Sequence, residues 1–524
     1  MGGMGAFAFG FARPPWSCVS GRLGVRRRRG RGGSVSGGAS PSARCGGWRV
    51  RVGCVAESPR TGRRLDVLVL GNLCVDVRVD VKVLPEASSR EEKRELYDAL
   101  VASLGRRAGS GAREGDDDPV VAGLGLGAWS MEVGGSGNTA IAASRAGLAC
   151  GVLALHVPRP MDAAGEFMVG AMGEVGVEVG RLAAVPGAPT PVCHVFVDPT
   201  HAHYFLGNFD FGEAPLLAPG ALAEGCAAWE DLRAAASQAS LAYVNGFLYD
   251  EVHWQDVDGA VDAVVGVAGA ALAVDLGPRA VQMRRGRWAD APERLASLRR
   301  TVGRAAVVFG TLEECVALLG GDAEAWAPED VARALVDDVG AAWAAVKLGE
   351  HGCVVAARAD DGRGPTRVLS HPGFEVDVQD TVGCGDSFAA AFYLGWLLRD
   401  ELRDDGLVEQ GKGEGQEERQ GEGQGNEPDL LRAVAALANA IGATTAGTPG
   451  AGRSVATMPM VMALLEEHTE EPEPPACAQC GDVEGRRDAR GALDLLARGR
   501  ERAQRHAARS DAAGPEANGK GLPW

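Results

Sequence analysis

From residue 65 onward the chain repeats one unit: a short apolar run, a turn, then an apolar or alanine-rich stretch long enough for a helix. Val67-Leu68-Val69-Leu70, 151–157, 241–245, 272–275, 305–309 and 343–348 are such runs. Residues 139–148, 167–176, 261–269 and 311–319 read as helices between them. Runs without polar alternation fit strands buried on both faces. Strands that alternate with helices form a parallel sheet covered on both sides. The rhythm therefore constrains the chain to an α/β sandwich, whose ligands bind at the carboxyl ends of the strands.

One junction stands apart: Asp380-Thr381-Val382-Gly383-Cys384-Gly385-Asp386-Ser387-Phe388. Residues 374–378 before it alternate as a strand does, and 389–398 after it form an unbroken apolar run, the pattern of a buried helix. Glycines at a strand-to-helix turn let bare N–H groups approach an anion, and the first helical turn adds unpaired donors and the positive dipole end. An anion site alone gains nothing from the carboxylate of Asp386. Phosphoryl transfer does, because a base must take the proton of the attacking hydroxyl. For an isolated Asp at this place, helix capping is the competing reading.

This nine-residue string resembles the C-terminal signature of the ribokinase-like, or PfkB, family of sugar and nucleoside kinases. The resemblance implies Asp386 as catalytic base and the backbone of Gly383, Cys384 and Gly385 as the anion hole. Gly71-Asn72-Leu73-Cys74-Val75-Asp76 is similar to the family's opening strand, whose acid binds acceptor hydroxyls. An ionised Asp76 suits that task because it only accepts hydrogen bonds. Gly134, Gly135 and Asn138 fall where the family has paired glycines and an asparagine on the acceptor. Lys347-Leu348-Gly349-Glu350-His351-Gly352 resembles a turn that lies against ATP, which implicates Lys347, Gly349 and Gly352. The helix at 430–446, with Asn439, and the turn at 448–452 would wall the adenine.

Glu314 falls at a metal-placing position, although Thr311 replaces the family's usual Asn. Asp380 would orient the anion-hole loop or bind a monovalent cation such as K+. The implied fold is a three-layer αβα ribokinase-like sandwich with a central, mainly parallel sheet and a small β lid from 75–83 and 191–206. The implied reaction moves the γ-phosphoryl of ATP, with Mg2+, to a hydroxyl of a sugar or sugar-like acceptor. A nucleoside kinase of the same fold is one alternative. A plastid regulatory or scaffold protein that retains the fold is the other, though such relatives tend to lose signature residues that are intact here. Pairing of two chains through the lid into a homodimer is a further expectation.

Residues 1–64 hold 13 arginines against one acid, Glu57, a net +12, so the rest of the chain carries −29 of the overall −17. An arginine-rich, acid-poor leader with many serines fits an organelle transit peptide, a plastid ahead of a mitochondrion or the cytosol. The acidic balance of the remainder argues against nucleic acid as a partner. No apolar run has the length of a membrane span. The 12 cysteines lie mostly within apolar segments, as in a reducing compartment.

The expected organisation is a leader over 1–64, a kinase domain over 65–456 with insertions at about 86–130 and 400–429, and a largely disordered tail over 457–524. Within the first insertion 90–104 reads as a charged helix, and within the tail 487–509 does too. Cys477-Ala478-Gln479-Cys480 is a lone CxxC and weak support for zinc. His201 and His203 read as residues of a solvated turn rather than metal ligands.

Overall fold

The computed structural model describes residues 65–87, 89–108, 119–153, 157–159, 161–180, 184–186, 189–208, 219–321, 325–358, 364–404, 430–469 and 483–512. The leader, most of the 400–429 insertion and the CxxC lie outside the described residues. The strands are β1 (Leu65–Leu70), β2 (Leu73–Asp80), β3 (Trp129–Gly135), β4 (Cys150–Leu153), β5 (Val157–Arg159), β6 (Ala184–Pro186), β7 (Val192–Val197) and β8 (His203–Gly207). β9 (Ala239–Asn245), β10 (Ala271–Asp275), β11 (Val307–Thr311), β12 (Trp343–Lys347), β13 (Cys353–Ala357) and β14 (Arg367–His371) follow.

Eight of them make the central sheet, in the order β14-β13-β12-β11-β10-β9-β1-β4. It is parallel from β4 to β12, and β13 and β14 are antiparallel additions. Val67 and Val69 of β1 join an apolar cluster with the helices Ser136–Arg145, Cys384–Asp404 and Leu430–Ala446. Leu68 and Leu70, which point the other way, join a second cluster with Ala227–Ala236, Trp254–Val261 and Ala291–Val302. Burial of both faces is why these strands lack polar alternation.

A second sheet, β3-β2-β7-β8, forms the lid. The first insertion is folded onto it. The helix Arg90–Ala108 places Leu96, Leu100 and Leu104 in one cluster with Val77 and Val79 of β2, Phe196 of β7 and Leu206 of β8. Tyr97 meets His194 edge-on at 5.2 Å, and Tyr204 Oη donates to the Ala87 carbonyl at 2.7 Å. The opposite lid face carries Cys74, Asp76, Arg78, Cys193, Val195, Val197, His203 and Phe205. Val382 of the signature loop packs against its apolar members.

Three expectations need correction. Residues 374–378 form no strand, and β14 ends the sheet. Phe374 instead packs on His468, with ring centroids 4.8 Å apart. The strand expected at 177–179 reduces to a single bridge between Gly151 and Glu178. The tail, expected to be largely disordered apart from a charged helix over 487–509, carries that helix as Val483–Ala512 and a second one, Met458–Glu467. Ala489, Ala492, Leu495, Leu496 and Ala503 are buried, a helical stripe that the surrounding charges hide in the sequence. Arg502 reaches across to the buried Asp66 of β1 at 2.8 Å, so this helix is part of the core.

Candidate active site

The signature lies where the resemblance implies. Gly383, at φ +81°, turns the chain in a conformation that glycine adopts without cost, and the Cys384–Asp404 helix starts directly after it. The Cys384 N–H donates to Thr381 O at 3.4 Å and that of Ser387 to Gly383 O at 2.9 Å. Between them, the N–H groups of Gly385 and Asp386 sit in a first turn that offers no helical carbonyl. Lys347, at the carboxyl end of β12, completes this cradle. A Cβ built on Gly385 would lie 3.2 Å from Lys347 Nζ. The ammonium pairs with Asp275 of β10 at 2.9 Å. Burial alone would lower its pKa, but the carboxylates of Asp275, Glu314 and Asp386 outweigh that and raise it.

Asp386 Oδ2 accepts from Asn138 Nδ2 and Oδ1 from Thr139 Oγ1, both at 3.3 Å. Burial, then the Asp275 charge, pushes its carboxyl up to about 7, against the pull of Lys347, Asn138 and Thr139. Asn138 also accepts, through Oδ1, from Gly452 N at 2.7 Å. It ties the base to the 448–452 turn. That turn, expected to wall the adenine, joins Asp380, whose Oδ2 accepts from Gly450 N at 3.0 Å, to β3, where Glu132 Oε2 accepts from Arg453 N at 3.0 Å. The same turn's Arg453 side chain pairs with Glu132 at 3.2 Å.

Asp76 is placed by strand register. β2 and β3 pair Cys74 with Gly134 and Leu73 with Gly135. A Cβ on Gly134 would lie 2.1 Å from Asp76 Oδ1, so only glycine leaves room for the carboxylate. Burial, opposed by a hydrogen bond from Cys74 Sγ at 3.4 Å and aided by the charges of Asp386 and Asp380, pushes Asp76 up to about 7. Asp76 and Asp386 thus face one region from the lid and from the sheet.

The remaining candidates are more peripheral. Gly349 and Gly352 form the tight turn between β12 and β13. Asn439 Nδ2 donates to the carbonyls of His371 and Pro372 at 3.2 and 2.9 Å, bracing the segment after β14. Glu314 Oε2 accepts from Thr311 N at 2.8 Å, a capping box made possible by Thr311. Asp380 is filled by donors, among them Arg78 and His203. His203 is thus a buried partner of the signature loop and not a solvated turn residue. Sequence reading missed Arg78, Thr139, His203 and Asp275. Arg78 was within reach, since residues i and i+2 of a strand share a face and Asp76 is two positions away. Among the described residues, no group of three His, Cys, Asp or Glu could hold a metal ion, and no helix is long and apolar enough to cross a membrane.

A covered parallel sheet, a β lid and an acid at the start of a helix on the strands' carboxyl edge define a sandwich of the ribokinase-like class. The sequence pattern described as "pfkB family carbohydrate kinase" matches residues 125–458, well over half of the chain, and the chain belongs to that family. It is 34% identical over 234 residues to an ATP-dependent ribose-1-phosphate kinase from Halopiger xanaduensis, a match that spans 40% of this chain and 66% of that relative's length. Its fold is similar to that of a ribokinase from Giardia lamblia (TM-score 0.51, 15% identity, 76% of this chain and 98% of that one). It is also similar to a fructokinase with bound ATP from Xylella fastidiosa (TM-score 0.51, 18% identity, 77% and 99%).

Proposed function

We propose that the protein is an ATP-dependent kinase that phosphorylates a hydroxyl of a sugar or sugar-like acceptor, with Asp386 as general base. The observation that carries this is the position of Asp386: it stands at the helix start beside Lys347, fixed by Asn138 and Thr139, with a pKa raised to about 7. A base poised near neutrality both holds and releases a proton at working pH. The donors of Gly385, Asp386 and Lys347 fit a phosphoryl group. ATP with Mg2+ supplies the phosphoryl group and offsets its charge.

Asp386 takes the proton of the attacking hydroxyl as the new oxygen–phosphorus bond forms and the bond to ADP breaks. Asp76 accepts from a second hydroxyl and fixes the acceptor's orientation, which phosphoryl transfer needs more than covalent help. The ribose-1-phosphate kinase likeness supports a pentose or pentose phosphate as the first acceptor to test. A panel of ribose 1-phosphate, free sugars, polyols and nucleosides with ATP and Mg2+ decides among them. Turnover of nucleosides alone would favour the nucleoside kinase. Turnover of none, in protein that binds ATP, would favour the scaffold reading. The arginine-rich leader supports import into a plastid, and a reporter fused to residues 1–64 tests it.

A further inference from the structure

One buried carboxylate joins the lid to the signature loop. Asp380, with a side chain 1% exposed, accepts from Arg78 Nη1 at 2.8 Å and His203 Nε2 at 3.0 Å. It also accepts from Val382 N at 2.9 Å and Gly450 N at 3.0 Å. The first two donors belong to lid strands β2 and β8, the last two to the signature loop and the 448–452 turn. Burial by itself would raise the Asp380 pKa, but His203, the Val382 N–H and Arg78 hold it below the usual carboxylate range.

This is the residue at which the resemblance implied a monovalent cation, and its oxygens do not fit one. A hard cation is bound by oxygen ligands, whereas both Asp380 oxygens meet N–H donors. A second positive charge here would also face the Arg78 guanidinium.

We propose that Arg78, backed by His203, takes the place of the monovalent cation: it neutralises Asp380 and fastens the lid to the loop that forms the anion hole, so that the enzyme works without K+. Two further contacts agree with this. Val382 packs on the lid's Cys74, Cys193, Val195 and Val197, so the ion pair forms where lid and loop already meet. Arg78 also pairs with the half-exposed Asp80 at 3.0 Å, two positions along the same lid strand. Arg78 and His203 are positioning residues. They act on the anion hole through Asp380, whose backbone neighbours Val382 and Gly450 carry the loop and the turn.

The inference rests on the proposed phosphotransferase reading, so its test has one arm that needs turnover and one that does not. In the first, the full-length protein is assayed with Mg2+-ATP and ribose 1-phosphate, or the best acceptor of the panel, in KCl, NaCl or tetramethylammonium chloride of equal ionic strength. Wild-type rates should agree within about twofold across the salts, while Arg78→Ala loses about tenfold or more in kcat and regains several-fold of it with guanidinium ion at tens of millimolar, with Arg78→Lys between the two. A wild type about tenfold faster in K+, or an Arg78→Ala at wild-type rate, overturns the proposal. So does a slow variant that neither K+ nor guanidinium restores.

In the second arm the melting temperatures of the same proteins are read in the same salts without substrate. Wild type should be indifferent to K+ over Na+, and Arg78→Ala should be raised selectively by guanidinium or K+. Selective stabilisation of wild type by K+ overturns the proposal. If Arg78→Ala does not fold, the wild-type salt series decides alone. If no acceptor turns over, the functional reading fails while the melting arm still decides the cation's place.

Discussion

At the scale of single residues, the site depends on two carboxylates held in the wrong medium for a charge. Asp386 and Asp76 are both pushed to about 7, each mainly by burial, and Asp386 adds to the shift of Asp76. They titrate as a pair, so kcat/KM should rise with pH on a limb centred near 7 and not near 4, as a pH–rate profile would show. The sign for stability is the opposite. Between the unfolded value near 4 and the folded value near 7 the native state binds more protons than the unfolded chain, so these groups lower stability as pH rises through that window. Asp386→Asn should therefore lower turnover by roughly 10²–10⁴ while raising the melting temperature at about pH 8. A near-normal rate in the purified variant would refute the base assignment. Gly134 is the complementary case. Gly134→Ala would push a methyl into the Asp76 carboxylate, so the KM for the acceptor should rise with little change in that for ATP.

At the scale of elements, two segments outside the strand–helix rhythm prove to be structural. The Val483–Ala512 helix lies against the Leu430–Ala446 helix, and its Arg502 holds Asp66, whose other oxygen accepts from Ala149 N at 2.9 Å. Arg502→Ala removes a cation from that buried carboxylate and should cost more in urea denaturation than the roughly 0–1 kcal/mol of an exposed pair. Deleting 483–512 should destabilise more, because it uncovers an apolar stripe as well. The Arg90–Ala108 helix does the same for the lid, covering Val77, Val79 and Phe196. Its removal should give protein that self-associates or binds a hydrophobic dye, where the intact chain does not.

For the whole molecule, that covered lid face bears on assembly. The homodimer expected through the lid would need an apolar face free for a second copy, and here the chain covers it with its own insertion. Light scattering on the purified protein should return the mass of one chain at micromolar concentration. A dimer that persists on dilution would place the interface on the lid's strand edges or elsewhere.

The sequence alone determined what depends on local order. The strand–helix rhythm defined the sheet, because burial on both faces leaves its mark on every strand. The junction at 380–388 defined the helix start and its acid, because glycines and an N-terminal Asp act within one turn of chain. Tertiary structure decided what depends on neighbours far apart in the chain. Asp76 could be named from sequence, but its raised pKa follows from strand register and from Asp386, 310 positions away. Asn138 could be named from sequence, but that its amide joins Asp386 to Gly452 follows only from the fold. Thr311 was read as the loss of a metal-site Asn, yet it caps the helix that carries Glu314. The tail's buried stripe was diluted by charges that matter only once the Val483–Ala512 helix has a partner. His203 looked like a residue of a solvated turn, and Arg78 went unread, until the fold laid the lid on Asp380, because a side chain's environment is set by what packs against it and not by its neighbours in sequence.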